Sequence, residues 1–242
     1  MRTALISDIH GNLEALEAVL RHIELQQVDT IWCLGDVIGY GCDPIACIDL
    51  VETHCAIKLM GNHEAVVLGL LPAEVLNEFA REAMGWTIDH LSEREQSVIK
   101  TYRMDACVDD AYLVHSSPHE PGWWHYIFTP DAASAAFRAL DQNLCFYGHT
   151  HVPMIFSMPA AGQIRQRVGH DFQPDPEVRY LVNVGAVGQP RDNDPRACYV
   201  VFDSDSYEVA YHRVDYDIQR AQEKMAKANA PTMLIERLAA GR

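Results

Sequence analysis

Basic residues are scarce in this chain. Lysine and arginine number 19 against 34 aspartates and glutamates, a formal net charge of −15 over 242 residues. A surface that grips nucleic acid needs clustered Lys and Arg, so no nucleic-acid-binding face is expected. Long apolar runs are also missing. The longest stretch without Asp, Glu, Lys or Arg runs from Gln142 to Ile164. It carries Gly148, His149, His151, Pro153 and Pro159, so no membrane span is expected there. Met1 to Ser7 holds only a short apolar run before Asp8, so no secretory leader is expected there. The 7 cysteines are odd in number and form no Cys-x-x-Cys pair. Packed, reduced thiols in a cytoplasmic protein are expected, not a disulfide framework. What is present, 48% hydrophobic and 22% charged residues, suits a folded globule that needs no staple to hold its core.

Periodicity divides the chain in two. Thr3 to Ser7, Thr30 to Leu34 and Ala56 to Met60 read as strands. Between them, Asn12 to Gln27 and Asp43-Pro44 to His54 read as helices. That alternation builds a parallel sheet. Helices are predicted at Glu64 to Gly69, Pro72 to His90 and Ser92 to Tyr102, the last opened by the Ser92-x-x-Glu95 capping box. Strands then dominate: 104–108, 112–116, 144–147, 154–157, 179–184, 197–203 and 208–214. Helices are predicted at 130–140, 216–228 and 232–240. Ala160 to Glu177 reads as a surface loop or small hairpin, and residues 1–242 read as one domain.

Polar residues collect at the strand ends. Asp8 and His10 follow the first strand, Asp36 the second, Asn62 and His63 the third. His115 closes the strand 112–116, and His149 and His151 follow 144–147. Ligands of α/β sheets bind outside the carboxyl ends of strands, so these residues should share one rim. Hard oxygens and imidazoles, with no cysteine, suit Mn²⁺, Fe²⁺, Zn²⁺, Co²⁺ or Ni²⁺. Asp8, His10, Asp36, Asn62, His115, His149 and His151 exceed what one zinc needs. They suffice for two metals about 3.5–4 Å apart sharing a carboxylate. Gly11, Gly35, Gly61 and Gly148 adjoin these residues and are expected to supply positive φ. Asn12 opens a helix whose free N–H groups could hold a phosphate. Trp123 and Trp124, beside His119, His125 and Tyr126, read either as packing or as a wall that stacks a base or aryl group. Arg191 reads as a phosphate contact or as a salt bridge to Asp192 or Asp194.

Asp8-Ile9-His10, Gly35-Asp36, Gly61-Asn62-His63-Glu64, His115 and Gly148-His149-Thr150-His151 resemble, in order, the five blocks of the calcineurin-like metallophosphoesterases. The likeness extends to about Asp192 and is greatest to the small bacterial and archaeal phosphoesterases. Val184 and Ala186 replace the usual Pro and Ser of the segment ending Gly188-Gln189-Pro190-Arg191. The resemblance implies a four-layer α/β/β/α sandwich of two mixed β-sheets flanked by helices. It implies two divalent ions, with Mn²⁺ expected and Fe, Zn, Ni or Co as alternatives. Asp8, His10, Asp36 and His151 would hold one ion, and Asp36, Asn62, His115 and His149 the other. A hydroxide bridging the ions would attack a small phosphodiester or nucleotide-type substrate. His63 would protonate the leaving oxygen, and Glu64, where many relatives carry Asp, would keep that imidazole protonatable. A serine/threonine phosphoprotein phosphatase is the alternative activity, and a non-catalytic metal-binding scaffold of the same fold the alternative class.

Overall fold

The computed structural model describes all residues from Met1 to Arg242. The first half is β1 (Arg2–Ile6), α1 (Leu13–Glu24), β2 (Thr30–Cys33), α2 (Pro44–His54) and β3 (Ile57–Lys58), followed by α3 (Asn62–Val67), α4 (Glu78–His90) and α5 (Glu93–Ile99). α1 starts where the Asn12 side chain accepts from the Ala15 amide, and it buries Leu16, Val19, Leu20 and Ile23. The Ser92–Glu95 capping box opens α5 as its spacing predicts. Residues 72–90 are not one helix. A 3₁₀ turn at Ala73–Val75 ends at Leu76, and Asn77 caps a fresh start by accepting from the Ala80 amide.

The second half is β4 (Asp105–Val108), β5 (Ala111–Val114), α6 (Pro130–Arg138), β6 (Leu144–Tyr147), β7 (Met154–Pro159), β8 (Arg165–Val168), β9 (Val178–Asn183), β10 (Ala197–Asp203), β11 (Glu208–Val214), α7 (Ile218–Lys227) and α8 (Thr232–Ala240). Of the two readings for 160–177, the small hairpin is present, since β8 pairs antiparallel with β7. β8 is exposed throughout and charged, as suits an edge strand.

The strands form two mixed sheets, ordered β11-β10-β1-β2-β3 and β4-β5-β6-β9-β7-β8. Period-2 alternation sorts their side chains into layers. Leu5, Trp32, Leu34, Leu113, Phe146, Val182, Val200 and Phe202 meet between the sheets. The intervening residues Ala4, Ile6, Cys33, Tyr199 and Val201 pack with Leu16, Val19, Ile48 and Val51 of α1 and α2. On the far side Val114, Cys145, Tyr147 and Leu181 pack with Ala133, Ala136 and Phe137 of α6. Each Leu, Val or Phe buried this way contributes about 1.5–3 kcal/mol. The result is the expected α/β/β/α sandwich. The parallel runs β1-β2-β3 and β5-β6 send their carboxyl ends to one rim. No helix is long and apolar enough to cross a membrane.

Candidate active site

Five of the residues at that rim leave their strands in the left-handed region: Asp8 (φ 54°), His10 (51°), Asp36 (52°), His149 (65°) and His151 (59°). Such conformations are uncommon outside glycine and concentrate at functional sites. Backbone bonds between the β1 and β2 turns hold the first three, Asp8 N–H to Gly35 O at 3.0 Å and His10 N–H to Asp36 O at 2.9 Å, and the His149 N–H donates to Asp8 Oδ2 at 3.0 Å. The ligands themselves therefore take much of the positive φ expected of the glycines. Gly35 (φ 103°) and Gly11 (φ 59°) share it. Gly61 and Gly148 do something else: a Cβ on the first would land on Asp36 Oδ1, and on the second upon Ser7 Oγ and Asp8 Oδ2. They make room for carboxylates.

Asp8, His10, Asp36 and His151 bring their ligand atoms within 4.8 Å of one another, and so do Asp36, His115 and His149. Asp36 belongs to both groups. Each imidazole gives one ring N–H to a backbone carbonyl. His10 Nδ1 donates to Ile38 O (3.1 Å), His115 Nδ1 to Leu34 O (2.8 Å), His151 Nδ1 to Gln189 O (2.7 Å) and His149 Nε2 to Trp124 O (3.0 Å). Fixing the tautomer this way aims the other nitrogen inward as a lone pair. The consequence is visible in three places. Nε2 of His10 and Nε2 of His151 face each other at 3.1 Å with their protons placed elsewhere. His115 Nε2 is buried with no hydrogen-bond partner, 3.3 Å from Asp36 Oδ2. Asn62 Oδ1 is buried without a partner as well. Opposed lone pairs and orphaned acceptors are repulsive alone and complementary to cations. Burial holds His10, His149 and His151 below the ordinary imidazole range, His149 at about 3, so they are neutral ligands. At His115 burial also opposes charge, but the Asp36 carboxylate outweighs it and lifts the ring to about 9, so an ion at Nε2 binds in place of a proton. For Asp8, burial opposes ionisation, and the surrounding imidazoles, His151 first, outweigh it, holding the carboxyl below its ordinary range; the His149 backbone N–H also donates to it. The donor set fits a pair of divalent ions. A chelator should lower Tm by about 5–10 °C per ion removed, because a site filled at 100 times Kd contributes about 2.7 kcal/mol. Differential scanning calorimetry before and after metal restoration checks this, and a melt indifferent to chelation would contradict the assignment.

His63 lies beside this cluster and is 2% exposed. Its Nε2 is 4.0 Å from Asp36 Oδ2, and its Nδ1 meets Met84 Sδ at 3.0 Å. Tyr40 and His10 pack on the ring, with centroids 4.8 and 4.7 Å away. Burial lowers its pKa, against the pull of Asp36. Glu64 makes no hydrogen bond to the ring, contrary to the expected pairing. Its Oε2 accepts from the Asp36 (2.9 Å) and Gly61 (2.8 Å) amides, its Oε1 from the Val37 (2.8 Å) and Ile38 (3.3 Å) amides. The extra methylene carries the carboxylate into the β2 turn, where it ties Asp36 to the start of α3. Burial, then the charge of Asp36, pushes Glu64 up to about 7, and the Gly61 amide pulls it back.

A cavity of about 240 Å³ opens over the cluster, lined by Asp36, Asn62, His63, His149 and His151 and roofed by Tyr40, Asn77, Tyr126 and Arg191. Arg191 reaches it without a carboxylate partner, since Asp192 pairs with Arg213 and Asp194 with Arg196. Its guanidinium is held by Gln189 Oε1 (2.7 Å) and lies over the Tyr40 ring (5.7 Å). Three sequence candidates fall elsewhere. Asn12 is buried with its polar atoms engaged by Ala15 N, Gly188 O and Tyr216 OH, so it clamps loops together. Trp123 is 74% exposed and does not line the cavity. Trp124 packs on the core, edge-on to His115, and offers the centre only its carbonyl. Of the two roles open to Trp123 and Trp124, packing or a stacking wall, Trp124 takes packing; its left-handed backbone (φ 56°) reverses the chain, and Tyr126 is the ring that stacks on His149, at 4.0 Å.

A family model, the calcineurin-like phosphoesterase superfamily domain, matches residues 1–207. The chain is a calcineurin-like phosphoesterase. A metallophosphoesterase from Sphaerobacter thermophilus, known from its crystal structure, is 39% identical to it, with 100% of both chains covered and a TM-score of 0.86. An uncharacterized protein of Methanocaldococcus jannaschii is 35% identical over 99% of this chain and 98% of its own length. A symmetrical bis(5'-nucleosyl)-tetraphosphatase of Proteus mirabilis is 32% identical over 36% of this chain and 37% of its own. The phosphoesterase is thus a hydrolase of phosphoester bonds.

Sequence reasoning passed over several residues that support the centre of this phosphoesterase. Asn183 donates to Gly148 O (2.6 Å) and Thr150 Oγ1 (3.0 Å) and accepts from the Gly185 amide, locking the turn that carries His149 and His151. Tyr40 and Tyr126 flank the cavity. Tyr40 could have been found from its place four residues after Asp36, within Gly39-Tyr40-Gly41, where Gly39 lets the turn pass close to His63 and Gly41 lets it pass close to the His10 and Gly11 backbone. Nothing local marked Asn183.

Proposed function

We propose that this phosphoesterase hydrolyses small phosphodiester or nucleotide-type substrates at a dinuclear centre. The two ligand groups sharing Asp36 on the floor of a small cavity carry that reading. Asp8, His10, Asp36 and His151 would hold one ion, and Asp36, Asn62, His115 and His149 the other, with manganese the first metal to test. When bound, the ions would supply water activation at neutral pH and neutralise charge on the phosphoryl oxygens. The chain's own residues do the remainder. Arg191 holds a phosphoryl oxygen through its free guanidinium edge. His63 gives a proton to the departing oxygen. Tyr40 and Tyr126 close the sides against water and present ring faces to the leaving group. A cavity of about 240 Å³ favours a small molecule over a folded phosphoprotein. The −15 charge also disfavours polyanionic substrates. Seven unpaired thiols support a reducing, cytoplasmic setting.

The deciding experiment strips the protein of metal, titrates Mn²⁺, and follows bis(p-nitrophenyl) phosphate beside the monoester. Faster diester turnover is expected, after which nucleotide diesters and dinucleoside polyphosphates are screened. No turnover with Mn²⁺, Ni²⁺, Co²⁺ or Fe²⁺ would shift the assignment to the scaffold class. Within this reading Arg191→Ala should raise KM by about 10–100-fold, the worth of one charged hydrogen bond. Trp123→Ala should leave KM within about twofold, as expected of an exposed side chain that touches no substrate. Equal KM for wild type and Arg191→Ala would remove Arg191 from the phosphate site.

A further inference from the structure

Outside the buried centre, a second group of ligand side chains converges on the turn between β5 and α6. His119, Glu120 and His125 bring their ligand atoms within 4.8 Å of one another. One carboxylate oxygen, Glu120 Oε2, faces both rings, 3.5 Å from His119 Nε2 and 3.4 Å from His125 Nε2. Two ligands on a tetrahedral ion with bonds of about 2.0–2.1 Å stand roughly 3.3 Å apart, so these separations already match. The rings lie nearly parallel, 14° between planes with centroids 5.5 Å apart, on either side of the carboxylate. No lysine or arginine pairs with Glu120; its charged-group neighbours are these two histidines. All three side chains are about half exposed, so an ion can reach them and water can complete the shell.

The backbone brings them together by a compact device. A 3₁₀ turn at Pro121–Trp123 is flanked by Glu120 (φ 52°) and Trp124 (φ 56°), both left-handed. That pair of reversals returns His125 beside His119. Between them the Trp124 carbonyl accepts the Nε2–H of His149 at 3.0 Å, and Tyr126 stacks on the same ring at 4.0 Å. The outer face of the turn carries the cluster and its inner face holds a ligand of the buried centre.

We propose that His119, Glu120 and His125 form a separate, solvent-facing site for one transition-metal ion, and that the ion clamps the turn whose carbonyl orients His149. Two imidazoles and one carboxylate select zinc, nickel, cobalt or copper over magnesium and calcium. The site does not depend on the proposed catalytic activity.

The test compares wild type with His119→Gln/His125→Gln, both dialysed against micromolar Zn²⁺ and analysed for bound metal. Wild type should retain one more zinc per chain than the double variant. The difference reads the site, so a buried centre that failed to load would lower both totals and leave the difference at one. His170→Gln, an exposed histidine elsewhere, should match wild type; the same loss there would mean adventitious surface binding only. Equal zinc content in wild type and the double variant overturns the site. Zinc should also slow amide hydrogen exchange across residues 119–126 in wild type and not in the double variant. Exchange unchanged by zinc in wild type overturns the clamp.

Discussion

His63→Ala is expected to lower kcat on a diester with an alkyl leaving group by about 10²–10⁴-fold, the usual contribution of a positioned general acid, while the metal content stays at the wild-type level. The two effects separate because of what His63 touches. Its backbone N–H donates to Asp36 Oδ1 at 3.0 Å, and that bond survives in the alanine variant. Its ring donates to no ligand; it lies against Met84, Tyr40 and His10 with one edge toward the cavity. Loss of the ring therefore removes a proton source and leaves the ligand cage. An alkoxide cannot depart unprotonated at neutral pH, whereas p-nitrophenolate can, so the loss should be much smaller with p-nitrophenyl esters. The pH profile gives a second reading. Burial lowers the His63 pKa, and an anionic substrate beside it acts in the opposite direction. A general acid is lost as pH rises through its pKa, so the wild-type rate should fall on the alkaline side, and that limb should be absent in the variant. Comparable rates on the alkyl diester would end the assignment.

Glu64→Ala is expected to lower Tm by roughly 6–20 °C, although Glu64 meets no substrate. Four buried backbone N–H groups, those of Asp36, Val37, Ile38 and Gly61, point at its two oxygens. Removing a carboxylate that buried donors depend on costs about 3–5 kcal/mol, and each kcal/mol moves Tm by about 2–4 °C at this chain length. Glu64→Gln should fall between, because its remaining carbonyl oxygen can serve one pair of donors while its NH₂ opposes the other. Metal affinity should weaken by about 10–100-fold in both, since the Asp36 and Gly61 backbones, which carry the ligands Asp36 and Asn62, lose their common tether. Thermal melts and a metal titration check this; a Tm within about 2 °C of wild type would show that water replaces the carboxylate.

The contrast between these residues explains what could be read in advance. His63 sits in a block whose neighbours in sequence are also its neighbours in space, so its proximity to the centre was legible. The partners of Glu64 on the β2 turn lie 26–28 residues away, and adjacency to His63 suggested the wrong contact. Trp123 and Trp124 stayed open between packing and a stacking wall for a related reason. Their spacing after His115 was informative, but two left-handed residues decide which side chain turns inward. Asn12 was read as a phosphate binder because it opens a helix, yet Gly188 and Tyr216, more than 170 positions on, occupy its amide. The edge strand β8 has no alternating apolar face, so periodicity could not separate it from a loop.

By itself the sequence determined the layers and the chemistry. Short continuous apolar runs specify strands buried on both faces, and aspartates and histidines placed just past those strands specify a metal-binding rim. Both are local properties, set by side-chain type and by the two-residue period of a strand. Tertiary structure alone decided which atoms are free to act. It directs one nitrogen of each histidine to a distant carbonyl, engages Glu64 and Asn12 with backbone, and leaves Arg191 without a carboxylate. Availability of a lone pair or a charge depends on every group within hydrogen-bond reach, and those groups come from strands and loops that the chain order keeps far apart.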